Sequence, residues 1–229
     1  AAEINSSVAM AVLLEPTTED RKTPDGGEGR IKTLLEVENN RGDTALMRAA
    51  ARGNAAIVQL LLRSGADPSH TNLWKQGPLQ LAALNNHVGC AAVLLENQAS
   101  VNAEAQDGST ALYSAADKSN NQVVELLLSH GAAASAKSIA GREPIHAAAE
   151  RGCLEALEAL LESRADPEAR NDEARTPLSY ATTRGHVAVV TKLLEVNADP
   201  QGVDMLKQTP LHVAAASGRV EVGSLLISR

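Results

Sequence analysis

Apolar residues recur along most of the chain as two short amphipathic runs followed by a polar gap, at a constant interval. The first run reads Thr44-Ala-Leu-Met-Arg-Ala-Ala50, and steps of 33 residues return Gly77 to Ala83, Thr110 to Ala116, Glu143 to Ala149, Thr176 to Thr182 and Thr209 to Ala215. Six copies follow one another without insertion or deletion. A second run trails each copy at a fixed distance and ends in Leu61-Leu62, Leu94-Leu95, Leu127-Leu128, Leu160-Leu161, Leu193-Leu194 and Leu226-Ile227. Its apolar residues, such as Ile57, Val58, Leu61 and Leu62, share one face of a helix. Each interval therefore predicts two helices and a polar connection.

Local chemistry supports the same division. Thr44, Thr110, Thr176 and Thr209 are suited to cap the first helix of a unit, and Pro144, Pro177 and Pro210 to open it. Ala-Ala pairs keep that helix thin. Gly53, Gly152, Gly185 and Gly218 fall at the turn between the helices, where a left-handed backbone is expected. Asn86 and Ser119 occupy the same register, so the unit holding Ser119 is expected to be strained. The connection after the second helix starts at Gly65, Gln98, Gly131, Arg164 and Asn197.

The 33-residue period and the full T-P-L-H-x-A-A string from Thr209 to Ala215 resemble the ankyrin repeat, over roughly residues 39–229. The resemblance implies an all-α solenoid of stacked helix-turn-helix units with β-hairpin or loop fingers. It divides the chain into an N-terminal cap, residues 1–38, and units at 39–71, 72–104, 105–137, 138–170, 171–203 and 204–229, the last incomplete. Within the cap, Ile31 to Leu35 reads as the second helix of a degenerate leading unit, after a polar loop over 16–29 and a short helix over 7–15. Such an array is expected to form an elongated, curved stack. The sixth unit lacks a polar cap and carries Gly223 inside its second helix. Val220, Val222, Leu226 and Ile227 are expected to be exposed there, so further repeats or another subunit would cover that end.

Composition narrows the classes. Among 229 residues there are 40 alanines and 29 leucines but no Phe, two Tyr and one Trp, which favours closely packed helices over a sheet. No apolar run approaches the ~20 residues of a membrane span. A net charge of −7 argues against general nucleic-acid binding. Cys90 and Cys153 form no pairing or metal pattern, which reads as an intracellular chain, cytoplasmic by default with nucleus or organelle left open. No catalytic, cofactor or metal motif occurs. His146 and His212 match the structural histidine of the resembling family, and His87 and His186 fall at inter-helix turns.

The resemblance assigns binding to the finger tips and the exposed ends of the first helices. Arg52, Lys118, Arg151 and Arg184 share one helix-end position, interrupted by Asn85. Over all variable positions nine basic residues meet seven acidic ones, a mildly basic face on an acidic body. A solvated face, with Lys118 and Arg151 neutralised by adjacent Asp117 and Glu150, is the plainer alternative. Apolar tips, Leu73-Trp74, Ile139-Ala140 and Met205-Leu206, alternate with polar ones. They either meet a partner or fold back on neighbouring fingers. The expected function is a non-catalytic protein–protein interaction scaffold whose partners present an acidic or apolar contact segment. Alternatives are the ankyrin module of a longer channel, kinase or ubiquitin-ligase adaptor, or a structural subunit of a large assembly.

Overall fold

The computed structural model describes residues 28–228. Among these residues thirteen α-helices are joined by turns, with no β-strand. Helix α1 (Glu28–Leu35) fits the expected second helix of the leading unit. The polar loop therefore gives way to helix by Glu28, and the helix expected over 7–15 lies outside the described residues. Six pairs follow: α2 (Ala45–Arg52) and α3 (Ala55–Arg63), α4 (Pro78–Leu84) and α5 (Val88–Glu96), α6 (Ala111–Asp117) and α7 (Asn121–Ser129), α8 (Pro144–Arg151) and α9 (Leu154–Glu162), α10 (Pro177–Arg184) and α11 (Val187–Glu195), α12 (Pro210–Ala216) and α13 (Val220–Ile227).

The helices begin where capping chemistry allows. Side-chain oxygens of Thr44, Thr110, Thr176 and Thr209 accept from the N–H groups of Met47, Tyr113, Ser179 and His212. Where the cap residue is Gly77 or Glu143, the third helical residue reaches back instead. The Gly77 N–H donates to Gln80 Oε1 at 2.9 Å, and the Glu143 N–H to His146 Nδ1 at 3.1 Å. Pro78, Pro144, Pro177 and Pro210 open their helices without losing a bond, because the first-turn N–H groups have no intrahelical partner.

The chain divides into two compact units, with the boundary in the sequence between Gln106 and Asp107. Inside each, first helices pack on first helices and second on second: α2 on α4 and α3 on α5 in unit 1, and α6 on α8 on α10 on α12 in unit 2. Ala50, Ala83, Ala116 and Ala149 are completely buried, which is why a larger side chain there would force neighbours apart. Thr182 takes the same place, and its buried hydroxyl has no hydrogen-bond partner among the described residues. In the last pair Leu211, Val220 and Ile227 are exposed, as expected for Val220 and Ile227. Val222 and Leu226 are buried instead, on a helix that contacts both α11 and α12.

Histidines tie neighbouring pairs together. The His87 ring bonds the Ala51 carbonyl through Nε2 at 3.2 Å, and His186 bonds the Glu150 carbonyl at 3.0 Å. His146 is fully buried. Its Nε2 reaches the carbonyls of Ala169 (3.0 Å) and Arg175 (3.2 Å) in the following finger, and burial pushes its pKa down to about 4. His212 is exposed and bonds only Thr209. All four serve architecture in the described residues.

Candidate interaction surface

The fingers are tight turns held from inside and from the side. Asn72 Oδ1 accepts the N–H groups of Trp74 and Gln76, Asn171 those of Glu173 and Arg175, and Asp204 those of Leu206 and Gln208. Such Asx geometry fixes a short turn without a strand ladder. One backbone bond then links each finger to the next within a unit: Leu73 N–H to Arg41 O and Gln106 N–H to Trp74 O in unit 1, and Ile139 to Asp107, Asp172 to Ala140 and Met205 to Glu173 in unit 2.

On this fixed backbone the apolar tips stay open. Leu73, Ile139, Met205 and Leu206 are each at least two-thirds exposed, and Trp74 is 47% exposed. These four side chains do not fold back on the neighbouring finger. Met205 and Leu206 border a groove of about 660 Å³ floored by Val213 and Ala216 in unit 2. Trp74 borders a second groove, about 270 Å³, in unit 1, with Arg41, Arg48, Arg52, Gln76 and Asn85.

The cations divide into two kinds. In unit 2, Arg151 bonds Asp117 at 3.0 Å, Lys118 lies 3.3 Å from the same carboxylate, and Arg184 bonds Glu150 at 2.6 Å. Lys118 and Arg151 are thus paired but share one carboxylate, and Arg151 pairs with Asp117 of the preceding helix pair and not with adjacent Glu150. The ion pairs of Arg151 and Arg184 join residues 34 apart on neighbouring helix pairs, whereas Lys118 pairs with its own neighbour Asp117. Arg52 in unit 1 makes no ion pair among the described residues.

Sequence reasoning missed a cluster in unit 2. Arg142 bonds Glu150 and lies over the rings of Tyr180, 4.6 Å from its centroid, and Tyr113, at 5.9 Å. Arg175 also stacks on Tyr180, at 4.4 Å, and donates to Thr183 Oγ1. Burial raises Glu150, but hydrogen bonds from Arg184 and Arg142 outweigh it and hold the carboxyl below its ordinary range. Both tyrosines of the chain meet here. The signal was available: Arg142 and Arg175 each precede a helix cap by one residue, one period apart.

Neither cysteine resembles a nucleophile. Cys90 is buried, which pushes its thiol pKa up, and the buried Cys153 donates to Asn121 Oδ1. Among the described residues no group of His, Cys, Asp and Glu is arranged to hold a metal ion, and no helix is long and apolar enough to cross a membrane.

A family model for ankyrin repeats matches residues 25–105, 46–138, 79–171 and 145–229, which together span 25–229. This chain belongs to the ankyrin repeat family. The array is similar to the crystal structure of the human ASB11 ankyrin repeat domain, with a TM-score of 0.75 and 34% identity over 81% of this chain and 83% of that one. Among curated proteins it is 42% identical over 86 residues to the mouse (Mus musculus) B-cell lymphoma 3 protein homologue, covering 37% of this chain and 19% of that protein. It is 37% identical over 91 residues to the Drosophila melanogaster transient receptor potential channel pyrexia, covering 39% of this chain and 9% of the channel. The ankyrin chain thus spans less than a fifth of these relatives. Ankyrin repeats are a general protein-interaction module.

Proposed function

We propose that this ankyrin array is a non-catalytic scaffold that binds partner proteins through its finger tips and first-helix ends, inside the cell. The exposed apolar tips carry the reading. Five large apolar side chains (Leu73, Trp74, Ile139, Met205 and Leu206) stand in solvent on turns whose backbone is already hydrogen-bonded. A pre-ordered backbone lowers the entropy cost of binding, and aromatic anchors dominate interface energetics. Arg52, Lys118, Arg151 and Arg184 flank these tips in the proposal, with the paired three contributing to specificity more than to affinity.

Trp74→Ala is expected to weaken capture of the native partner by at least about tenfold while leaving helicity and melting temperature unchanged. Affinity measurement beside circular dichroism checks this; unaltered affinity removes Trp74 from the interface. The low coverage of relatives as different as a channel and the B-cell lymphoma 3 homologue supports a second reading, that the array is the docking module of a longer protein.

A further inference from the structure

We infer that the Trp74 groove of unit 1 receives an acidic segment of a partner protein. This rests on the scaffold reading above and specifies what one part of that surface selects.

The argument is one of unpaired charge. Arg41, Arg48 and Arg52 line the groove with Trp74, and exposed Lys75 adjoins the tryptophan in the same turn. One carboxylate opposes them, Asp43, and it is committed to the walls. Its Oδ1 accepts from Asn72 Nδ2 at 3.0 Å, its Oδ2 from Asn39 Nδ2 at 3.3 Å, and Arg48 lies 3.8 Å away. Asp43 is only 6% exposed. Arg41, Arg52 and Lys75 make no ion pair among the described residues. The equivalents of Arg52 in unit 2 each already have an ion-pair partner, Lys118 and Arg151 sharing Asp117 and Arg184 sharing Glu150 with Arg142. Unmatched positive charge therefore gathers beside the only tryptophan of a chain whose net charge is −7.

Carboxylates of a partner complete those guanidinium and ammonium groups, and an apolar residue between them covers the exposed indole. The match raises the encounter rate and rejects basic segments. A nucleic acid is disfavoured because the acidic remainder of the chain repels a long polyanion.

Because Trp74 is the sole tryptophan, its emission reports occupancy of the groove directly. The probe is a synthetic peptide capped at both ends, with glutamates flanking a central leucine, and a twin in which glutamine replaces each glutamate. The glutamate peptide is expected to shift Trp74 emission saturably, less so as salt rises, and to bind at least about tenfold tighter than its twin. Arg41→Ala with Arg52→Ala is expected to remove that advantage, while Lys192→Ala on α11 leaves it unchanged; melting curves confirm that each variant is folded. No shift with the glutamate peptide, or equal binding of the twin, overturns the acidic assignment. Equal or tighter binding of oligothymidylate overturns the protein-segment assignment. The scaffold reading fails separately, if the native complex leaves every one of the exposed tips (Leu73, Trp74, Ile139, Met205 and Leu206) as accessible as in the free protein.

Discussion

Replacing His146 with alanine is expected to cost about 3–5 kcal/mol, because the change opens a cavity and leaves two buried backbone groups, the Glu143 N–H and the Ala169 carbonyl, unpaired, while the Arg175 carbonyl keeps only the Asn171 N–H. The imidazole accepts the Glu143 N–H through Nδ1 and spans the carbonyls of Ala169 and Arg175 through Nε2. It joins a helix start to the next finger. The same residue sets a pH dependence. Burial holds the folded pKa at about 4, against 6.5 for the free side chain. The unfolded chain therefore binds the proton first as pH falls. The stability tied to neutral His146 is complete above pH 6.5, declines as pH drops from there to about 4, and falls no further below. A gap of that size corresponds to about 3 kcal/mol at about 1.4 kcal/mol per pH unit. Unit 1 contains the non-titrating counterpart: Gln80 accepts from the Gly77 N–H and donates through Nε2 to Ala103 O at 3.1 Å. His146→Gln should accordingly keep most of the stability at neutral pH and flatten its slope between pH 6.5 and 4. Urea unfolding at several pH values reads both effects; an unchanged slope in the glutamine variant would locate the acid sensitivity elsewhere.

Gly152→Ala is expected to cost about 2–4 kcal/mol, of which about 1–2 is the left-handed backbone itself. Gly152 has φ 72°, and an added Cβ would lie 2.5 Å from His186 Nδ1. The ring must then move, and its bond to the Glu150 carbonyl is lost. Gly218→Ala isolates the first contribution, since φ is 65° there but nothing lies within 4 Å of the new methyl. Thermal unfolding should place the Gly152 variant well below the Gly218 variant, and equal shifts would refute the steric part. The chain already uses the permitted alternative. Ser119 carries a Cβ at φ 57°, and the residue in the register of His186 one unit earlier is the smaller Cys153.

The helix pairs were legible because threonine caps, proline starts and left-handed turns repeat at one interval, so each unit checks the others. The exposed tips were legible for the same reason: Trp74 departs from the polar residues usual in a solvated turn. Pairings between successive repeats were harder to read. Arg151 chooses Asp117 over Glu150, and Arg142 lies over Tyr113 and Tyr180 while holding Glu150, because long side chains reach across the stacking direction. A period of 33 aligns equivalent positions, whereas these contacts join unequal ones. The fingers also form without strands, since Asn and Asp side chains satisfy their turn amides. The 7–15 helix falls outside the described residues.

Hydroxyl-radical footprinting of the native complex against the free protein tests the scaffold most directly, because Trp74 and Met205 are readily oxidised side chains that stand exposed when unbound. Loss of labelling at these tips on complex formation, with the outer second-helix residues Glu125 and Glu158 unchanged, is the predicted result. Protection confined to the second helices, with Trp74 and Met205 labelled as before, would contradict it.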